Sequence, residues 1–253
     1  MVFRLVKSLD KAAATFGLIE PADRIVVGIS GGKDSVGLLY LLWWQRRIHA
    51  HTHELLPVHV ADSAVGDGPA HALEAWLARL DMPLLTVRAN LRPPPDARRS
   101  PCFSCSWNRK KALFETAERL GSSVVALGHH SDDVAVTALM NLFLQGRFGG
   151  ILPIQAYFQG RFRLIRPLYF VSERSLQRLA RVERLPVSNT ICEFSAASRR
   201  TLARSWLDSI VRDHPYAKRS LLGALHRQAM AGVVPGAAAV VDDSLDQESG
   251  LGL

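Results

Sequence analysis

The chain has 253 residues, of which 48% are hydrophobic and 21% are charged. These proportions exclude wholesale disorder and are typical of one large domain or two small ones. The formal charge at pH 7 is +8, with 31 Lys and Arg against 23 Asp and Glu. Such a basic balance favours a polyanionic partner such as nucleic acid, but it does not identify one.

The sequence predicts neither a membrane span nor an export signal. No run reaches the roughly 18–20 uninterrupted apolar residues that cross a bilayer. Lys7, Asp10 and Lys11 interrupt the N-terminal stretch where a signal peptide would be apolar. Three cysteines are too few, and odd in number, for a disulfide framework. We therefore expect thiols or metal ligands in a reducing, cytoplasmic compartment, with no membrane partner.

Strand and helix patterns alternate along the first two thirds of the chain. Residues 3–19 predict an amphipathic helix, and residues 24–30 predict a buried strand that leads through a Gly-Gly turn into the apolar helix VGLLYLLWW. Further strands are predicted at 55–60, 84–87, 124–127 and 162–165, and further helices at 70–80, 107–120 and 133–144. This alternation predicts an α/β fold with a parallel sheet.

The remaining segments have different compositions. Residues 89–101 are rich in proline and arginine and predict a surface loop. Residues 171–230 predict helices, broken at Pro186 and Pro215, and residues 231–253 predict a disordered acidic tail. We therefore divide the chain into an α/β part at 1–170, a helical part of the same domain at 171–230, and the tail.

The segment Ser30-Gly31-Gly32-Lys33-Asp34-Ser35 lies between the first predicted strand and the helix that follows it. Glycines let the backbone approach an anion, and a helix N-terminus presents free N–H groups. The hydroxyls and Lys33 add further phosphate contacts, and Asp34 is explained if Mg²⁺ bridges it to phosphate. The segment is not a Walker A loop, because Val27 stands where that pattern needs its first glycine.

A second polar segment, Gly128-His129-His130-Ser131-Asp132-Asp133, follows the strand predicted at 124–127. The carboxyl end of a strand is where α/β sheets bind ligands. Adjacent carboxylates there can hold Mg²⁺ or act as an acid or base. The alternative is a helix N-terminus that favours aspartate through its dipole.

The three cysteines form a pair and a distant single residue. Cys102 and Cys105 form a C-x-x-C followed by the basic run 109–111, whereas Cys192 lies far along the chain. A zinc ribbon needs a second C-x-x-C, which the sequence lacks. A thioredoxin-like redox pair is compatible with the helix that follows, and a lone cysteine is often a buried thiol. The residues alone leave these possibilities open.

At this point the sequence resembles a known family. SGGKDS is the signature of the PP-loop ATP pyrophosphatases, and the C-x-x-C with one distant cysteine resembles the tRNA 2-thiocytidine synthetase (TtcA) family. The segments IEPADRIVVGISGGKDS, GHHSDD, ALMNLFLQGRFGG and IRPLYFVSE are similar to that family as well, so the resemblance covers about residues 3–230. Two positions depart from it: Ser131 stands where a basic residue is expected, and Asn189 where a further cysteine is common.

The resemblance implies a Rossmann-like PP-loop domain with C-terminal helices. It implies that ATP is cleaved between its α and β phosphates, so that the C2 oxygen of a cytidine, expected at tRNA position 32, is adenylated. It also implies that Cys102, Cys105 and Cys192 hold a [4Fe–4S] cluster, whose open iron carries the sulfide that displaces AMP. The alternatives are thiolation of a uridine or a small molecule, or a non-catalytic, zinc-containing RNA-binding module.

The resemblance also assigns roles to individual residues, with ATP, Mg²⁺ and the cluster as cofactors. The nucleotide-binding residues would be Ser30, Gly31, Gly32, Lys33, Asp34, Ser35, Gly128 and His129, and the catalytic ones Asp34, Asp132, Asp133 and Arg109. His130, Gly28, Ile29, His59, Asp62 and Ser63 are further candidates near the nucleotide. Expected partners are tRNA and a sulfur donor such as a cysteine desulfurase, and a homodimer is common among such enzymes.

Contacts with tRNA are predicted from the distribution of arginine and aromatic residues. The candidates for phosphate contacts are Arg92, Arg98, Arg99, Arg174, Arg178, Arg181, Arg199, Arg200 and Arg204. Arg174, Arg178 and Arg181 are spaced to share one helix face. Phe103 and Trp107, beside the cysteines, are candidates for stacking on a flipped base, with core packing as the alternative.

Overall fold

The structure is a computed structural model that describes residues 1–50, 53–63, 70–92, 101–188 and 199–232. Helices and strands follow one another through these ranges. The strands are β1 (Arg24–Gly28), β2 (Glu54–Asp62), β3 (Leu85–Ala89), β4 (Val124–Ala126), β5 (Ile154–Tyr157) and β6 (Phe162–Ile165). The helices are α1 (Val2–Phe16), α2 (Lys33–His49), α3 (Ala70–Ala78), α4 (Pro101–Arg119), α5 (Ser131–Gln145), α6 (Glu173–Val182), α7 (Arg199–Asp213) and α8 (Ala217–Gly232).

The strands form one sheet in the order β3-β2-β1-β4-β6-β5. All neighbouring pairs are parallel except β5 and β6, and Ile25 of β1 pairs with both Leu55 of β2 and Val124 of β4. The chain moves from β1 toward β3 on one side and later returns to build β4 on the other. The order reverses between β1 and β4, which is where open α/β sheets bind ligands beyond the carboxyl ends of their strands.

Helices cover both faces of the sheet, which explains why the central strands β1 and β4 are apolar and buried along nearly their whole length. Alternate residues of a strand point to opposite faces. Val26 and Val125 pack on the side of Phe114 from α4. Ile25 and Val124 pack on the other side, where the buried faces of α1, α2, α3 and α6 meet. The sheet is thus the middle layer of a three-layer fold.

The first two helices differ in how much of their surface is buried. In α1 the apolar stripe contains Leu9 and Phe16, and the helix ends where Gly17 adopts φ 61°, a left-handed conformation that glycine adopts without strain. In α2 consecutive residues such as Leu41 and Leu42 are fully buried. Such a helix lies inside the protein, and it begins directly at the glycine-rich segment.

Most predicted strands and helices are confirmed within two residues, and helices lie on either side of Pro186 and Pro215 as expected. The helix α1 ends three residues before its predicted end, and α2 extends beyond the predicted segment 36–44 at both ends. The strand β5 was not predicted, and α4 begins at Pro101, six residues before the predicted start. Proline suits a first helical position, because its missing N–H would have no partner there. The central part of the predicted 89–101 loop and nearly all of the predicted tail lie outside the described residues. No helix within the described part is long and apolar enough to span a membrane.

Candidate functional site

The glycine-rich segment forms a compact loop at the N-terminus of α2. The hydroxyls of Ser30 and Ser35 lie 3.1 Å apart, the amide of Gly32 donates to Ser30 Oγ at 3.3 Å, and Ser35 Oγ donates to the carbonyl of Gly32 at 3.0 Å. Gly31 has φ 85°. Gly32 is the N-cap residue of α2 and has no side chain that could accept a hydrogen bond from the helix. The first N–H groups of α2 therefore face the loop without a capping side chain. This geometry suits an anion.

Lys33 is held over the loop by two carboxylates. Its Nζ lies 2.9 Å from Glu173 Oε1 and 3.1 Å from Asp34 Oδ2. Burial lowers the pKa of Lys33, but the two carboxylates outweigh it and raise that pKa overall. Burial likewise disfavours ionisation of Glu173, yet hydrogen bonds from Arg204 and Lys33 keep its pKa below the usual value. Glu173 therefore connects the loop lysine to α7 as an ionised bridge.

Asp34 has one oxygen without a donor. Its Oδ1 is buried and has no hydrogen-bond partner among the described residues, and His130 Nε2 lies 3.6 Å away. Burial raises the pKa of Asp34, although His130 and Lys33 oppose the shift. A buried carboxylate oxygen without a donor is rare in folded proteins. Its position beside the phosphate loop fits a ligand for a hard cation such as Mg²⁺.

The segment after β4 lies directly against the phosphate loop. A Cβ on Gly128 would lie 2.9 Å from the backbone of Asp34 and Ser35, so only glycine allows this approach. His130 then caps α5: its amide donates to Asp133 Oδ2 at 2.9 Å, and its Nδ1 accepts from the amide of Asp133 at 3.4 Å. Because Nδ1 accepts, the ring proton lies on Nε2, which faces Asp34.

Asp132 and Asp133 both form ion pairs with the C-terminal helices. Asp132 accepts from the amide of Glu173 at 2.8 Å and pairs with Lys218 of α8, whereas Asp133 pairs with Arg200 of α7. Burial raises the pKa of each aspartate, but these partners, with His130, outweigh it, so both pKa values are lowered. A lowered pKa suits cation binding and does not suit proton donation.

His129 is uncharged in the folded protein. Enclosure by the protein and the nearby guanidinium of Arg166 lower its pKa to about 3. Arg166 is 2% exposed, donates from Nε to His129 Nδ1 at 3.3 Å and from Nη1 to the carbonyl of Leu152 at 2.6 Å. This contact leaves the proton of His129 on Nε2, where the imidazole can donate a hydrogen bond.

The two described cysteines share one face of α4 with Arg109. Residues 102, 105 and 109 are spaced by three and four, and Leu113 continues the row. Leu113 Cδ1 lies 3.0 Å from where a Cβ on Gly28 would be, so this face points to the end of β1. A helix that connects parallel strands returns from their carboxyl ends to their amino ends. Both half-buried cysteines therefore lie at the same sheet edge as the phosphate loop.

Cys192 lies outside the described residues, as does the departing position Asn189. The chain on either side of 189–198 contacts the site: the amide of Ser188 donates to the carbonyl of Gly31 at 2.9 Å, and Arg200 pairs with Asp133. Within the described ranges, no group of three or more His, Cys, Asp or Glu side chains is arranged to hold a metal ion. The predicted three-cysteine set is therefore not tested by the described residues.

Other predicted nucleotide residues have structural contacts. His59 is buried, and its Nδ1 donates to the carbonyl of Ile29 at 2.7 Å, which fixes the chain after β1. Asp62 lies 3.9 Å from Arg92, at the end of β2, and the amide of Ser63 donates to the carbonyl of Ala89 at 3.0 Å. These contacts connect neighbouring strand ends beside the phosphate loop.

The predicted tRNA-binding residues fall into separate groups. Arg174, Arg178 and Arg181 are exposed on one face of α6, as their spacing predicts, and Arg199 is exposed at the start of α7. Arg98 and Arg99 lie outside the described residues. Of the two predicted stacking residues, Phe103 is 6% exposed and belongs to the core. Trp107 lies on a different side of α4 from the cysteines and lines a surface cavity.

Three residues of the site were not predicted from the sequence: Glu173, Arg166 and Lys218. The segment IRPLYFVSE, noted for its resemblance to the family, contains Arg166 and Ser172-Glu173. A serine followed by a glutamate is typical of a helix start, so the sequence could have placed Glu173 at the first position of a helix. The sequence did not indicate a role for Lys218, because its partner Asp132 is 86 residues away.

Comparison with known proteins identifies the family. The model of the PP-loop domain matches residues 4–190. A tRNA-cytidine(32) 2-sulfurtransferase from Geobacter sulfurreducens is 34% identical over 237 residues, which cover 88% of this chain and 88% of that protein. The chain belongs to the tRNA-cytidine(32) 2-sulfurtransferase family of PP-loop proteins.

Other members and a solved structure agree with this assignment. The tRNA-cytidine(32) 2-sulfurtransferase of Geotalea daltonii is 32% identical over 229 residues, covering 88% of this chain and 90% of that protein. In fold, the chain is similar to the U34-tRNA thiolase NcsA from Methanococcus maripaludis, whose structure contains its [4Fe–4S] cluster. The TM-score is 0.72 at 22% identity, and the match covers 98% of this chain and 88% of that one. The family resemblance stated from SGGKDS and GHHSDD is thus confirmed.

Proposed function

We propose that this member of the tRNA-cytidine(32) 2-sulfurtransferase family is an ATP-dependent tRNA thiolation enzyme that acts on a cytidine, expected at position 32. One observation carries the proposal: the phosphate loop and the cysteine-bearing end of α4 lie at the same sheet edge, on either side of β1. With ATP in the phosphate loop, a nucleotide would lie beside two thiols. A reaction that activates a base and then replaces its oxygen with sulfur requires this proximity.

The phosphate loop would bind ATP. The N–H groups at the start of α2 and the hydroxyls of Ser30 and Ser35 would contact the phosphates, and Lys33 would neutralise part of their charge. Because Gly128 has no side chain, the segment after β4 lies directly against the phosphate loop. His129 Nε2 would donate a hydrogen bond to the nucleotide. Glu173 would keep Lys33 in place before ATP binds.

The residues fit a divalent cation beside the phosphates. Asp34 Oδ1, buried and without a donor among the described residues, would be a ligand, and Mg²⁺ bound there would neutralise charge that develops on the phosphates. Asp132 and Asp133 are ionised but already paired with Lys218 and Arg200. We infer that their main role is to position the C-terminal helices, and that they contribute to the cation site through the field of their charges.

The two described cysteines fit part of a [4Fe–4S] site. Cys102 and Cys105 lie one helical turn apart on the face of α4 that points to β1. Cys192, which lies outside the described residues, would be the third thiolate ligand. Thiolates are the usual protein ligands of such clusters, and a bound cluster would supply a carrier for the sulfur atom.

The reaction would proceed in two balanced steps. The C2 oxygen of cytidine attacks the α-phosphorus of ATP, an O–P bond forms, and pyrophosphate leaves. Sulfide then attacks C2, a C–S bond forms, and the C2–O bond breaks as AMP leaves with that oxygen. Arg109 lies in the cysteine row of α4, and its Nε is buried without a hydrogen-bond partner among the described residues. It would stabilise negative charge on the adenylated base and the departing AMP.

The proposed partners follow from the same chemistry. The basic charge of the chain and the exposed arginines of α6 support tRNA as the polyanion. A cysteine desulfurase or another sulfur donor would supply the sulfide, and we propose a homodimer as the assembly. We keep the division into residues 1–170, 171–230 and 231–253, with the middle segment contributing the cluster ligand and tRNA contacts. We also retain the cytoplasm as the proposed compartment.

Anaerobically purified protein tests this function directly. We would measure iron, sulfide and zinc, then incubate the protein with ATP, Mg²⁺, sulfide and a tRNA transcript, and analyse the nucleosides by mass spectrometry. We expect four irons and four sulfides per chain, 2-thiocytidine formed only with ATP, and none from a transcript with uridine at position 32. Cys192→Ala should lose the cluster and the product together, whereas Ser205→Ala, an exposed control in α7, should retain both.

Two results would contradict the proposal in different ways. A 2-thiouridine product would show that the same apparatus acts on another base. Zinc without sulfide, together with no nucleoside product, would favour the non-catalytic RNA-binding alternative.

A further inference from the structure

A cavity of about 390 Å³ lies between α4 and the turn that connects β5 to β6. Five of its lining side chains are aromatic: Trp107, Phe114, Tyr157, Phe158 and Phe162. The ring of Phe114 lies in the middle, 5.0 Å from the ring of Tyr157, 5.5 Å from that of Phe158 and 5.4 Å from that of Phe162. We call this cavity the aromatic cleft. Its volume lies within the range of small-molecule sites.

The cleft has a buried floor and an open rim. Phe114, Tyr157 and Phe162 are each at most 5% exposed, whereas 48% of Phe158 is exposed. Phe158 also has φ 51°, and the next residue, Gln159, has φ 58°. A left-handed conformation is unfavourable for a bulky side chain. Such strained residues concentrate at functional sites, and here the strain accompanies a ring held at the mouth of the cleft.

The rim of the cleft has a net charge of +1. Three cations and two carboxylates line it, and both carboxylates form ion pairs, Glu118 with Arg161 and Glu115 with Lys111. Lys110 Nζ lies 5.4 Å from the ring centre of Trp107 and 5.8 Å from that of Tyr157, and the guanidinium of Arg161 lies 5.7 Å from that of Phe162. Exposed aromatic faces beside cations are how proteins bind unpaired nucleotides, because the base stacks on the ring and the phosphate contacts the cation.

The cleft opens away from the cysteines. Cys102, Cys105 and Arg109 follow one face of α4, whereas Trp107 and Phe114, seven residues apart, follow another. Trp107 is nevertheless only two residues beyond Cys105, a rise of about 3 Å along the helix. The exposed ring of Phe158, however, lies against Phe114, which is nine residues and about 14 Å along α4 from Cys105. A base stacked there is therefore a different base from the one that meets the sulfur.

We propose that the aromatic cleft binds an unpaired nucleotide of the tRNA, different from the nucleotide that is modified. The inference rests on the proposed function for the identity of the RNA. The stacked nucleotide would fix the register of the anticodon loop, so that the target base reaches the sulfur site on the other face of α4.

Substitution of Phe158 tests the cleft, because this side chain is exposed and lies outside the ATP and cysteine sites. We would measure binding of fluorescein-labelled tRNA and of a single-stranded RNA octamer to the anaerobic holoprotein. We expect Phe158→Ala and Phe158→Leu to weaken binding of both RNAs roughly 5- to 100-fold, as the loss of a stacked base does. Phe158→Trp should restore it, and Phe3→Ala, at an even more exposed phenylalanine of α1, should change nothing.

Separate readouts distinguish the possible failures. ATP affinity, the visible absorption of the cluster and the salt dependence of binding should stay unchanged in every Phe158 variant, because stacking involves neither ATP nor phosphate. Wild-type RNA affinity in Phe158→Leu would overturn the proposed cleft while tRNA thiolation stood. Octamer binding that depends on Phe158 in a protein that thiolates no tRNA would support the cleft and contradict the function. Loss of a dimer on Phe158→Ala, with RNA affinity unchanged, would assign the cleft to a second copy of the chain.

Discussion

Single side chains at the carboxyl edge of the sheet are held in fixed ionisation states by their neighbours. Lys33 and Glu173 stay charged because each faces an opposite charge, whereas burial, together with the charge of Arg166, keeps His129 neutral. An anionic substrate therefore meets a lysine that is already charged and an imidazole whose one proton has a defined position. Little proton rearrangement is needed when ATP binds, which is the condition for electrostatic catalysis in a preorganised site.

The state of His129 makes stability depend on pH. Its pKa is about 3 in the folded protein against a reference value of 6.5, so between these values the unfolded chain binds the extra proton. The free energy of unfolding is therefore not reduced by His129 above pH 6.5, and it decreases as the pH falls from 6.5 toward 3. We expect His129→Asn to lose less stability than the wild type between pH 7.5 and pH 5, measured by urea unfolding. An equal loss in both proteins would contradict the assignment.

The N-terminus of α6 connects helix stability to the nucleotide site. Ser172 caps this helix and accepts from the amide of Ser175 at 3.3 Å, and Glu173 is the first residue of the helix. We expect Ser172→Ala to cost about 1 kcal/mol of stability and to weaken ATP binding several-fold, because Glu173 loses its fixed position beside Lys33. Urea unfolding and ATP titration measure the two effects.

Ser205→Ala serves as the control for this cap. Ser205 donates to the carbonyl of Leu202 on the exposed side of α7 and caps no helix. We expect it to change stability by a few tenths of a kcal/mol and to leave ATP affinity unchanged. If the two serine variants behave alike, the N-terminus of α6 does not position the site.

The elements that the sequence predicts well are those with a strong local pattern. The strand β1 and helix α2 are apolar runs joined by glycines. The bounds of β1 were predicted within two residues, and the apolar centre of α2 was predicted at 36–44, inside the helix that the structure shows. The strand β5 has only four residues, and it forms a hairpin with β6 across the loop 158–161. Gly160 in that loop is a local hairpin signal that the prediction missed. The start of α4 was missed because polar and proline residues precede it, although Pro101 is a favourable first residue.

At the scale of the whole molecule, α6 presents a row of three arginines to the solvent. Arg174, Arg178 and Arg181 are exposed on the side opposite the buried Leu176 and Leu179. We expect alanine at all three positions to weaken tRNA binding and to reduce the slope of log affinity against log salt by roughly 2–3, because each phosphate contact contributes about 0.7–0.9. Binding titrations at several salt concentrations measure this slope.

A matched control removes the same charge elsewhere. Arg4, Lys7 and Arg79 are exposed on or beside α1 and α3, and alanine at these positions should leave the salt slope nearly unchanged. An equal change in both triple variants would mean that net charge, and not the face of α6, determines tRNA affinity. ATP affinity should be unchanged in both.

The candidate site was partly predictable at this scale. SGGKDS and GHHSDD each follow a strand, so their meeting at one sheet edge could be expected from parallel topology. The pairing of Asp132 with Lys218 and of Asp133 with Arg200 could not, because it depends on where α7 and α8 pack. Two acidic residues expected to act on a metal or a proton are thus also the attachment points of the C-terminal helices.

The late position of these cations has a consequence for synthesis on the ribosome. Lys218 follows Asp132 by 86 residues, so at about 5–20 residues per second it emerges roughly 4–17 s later. During that interval Asp132 lacks the ammonium partner that it has in the folded protein. We expect the acidic side chains of the site to reach their paired state only after the chain that carries all three cysteines has been made.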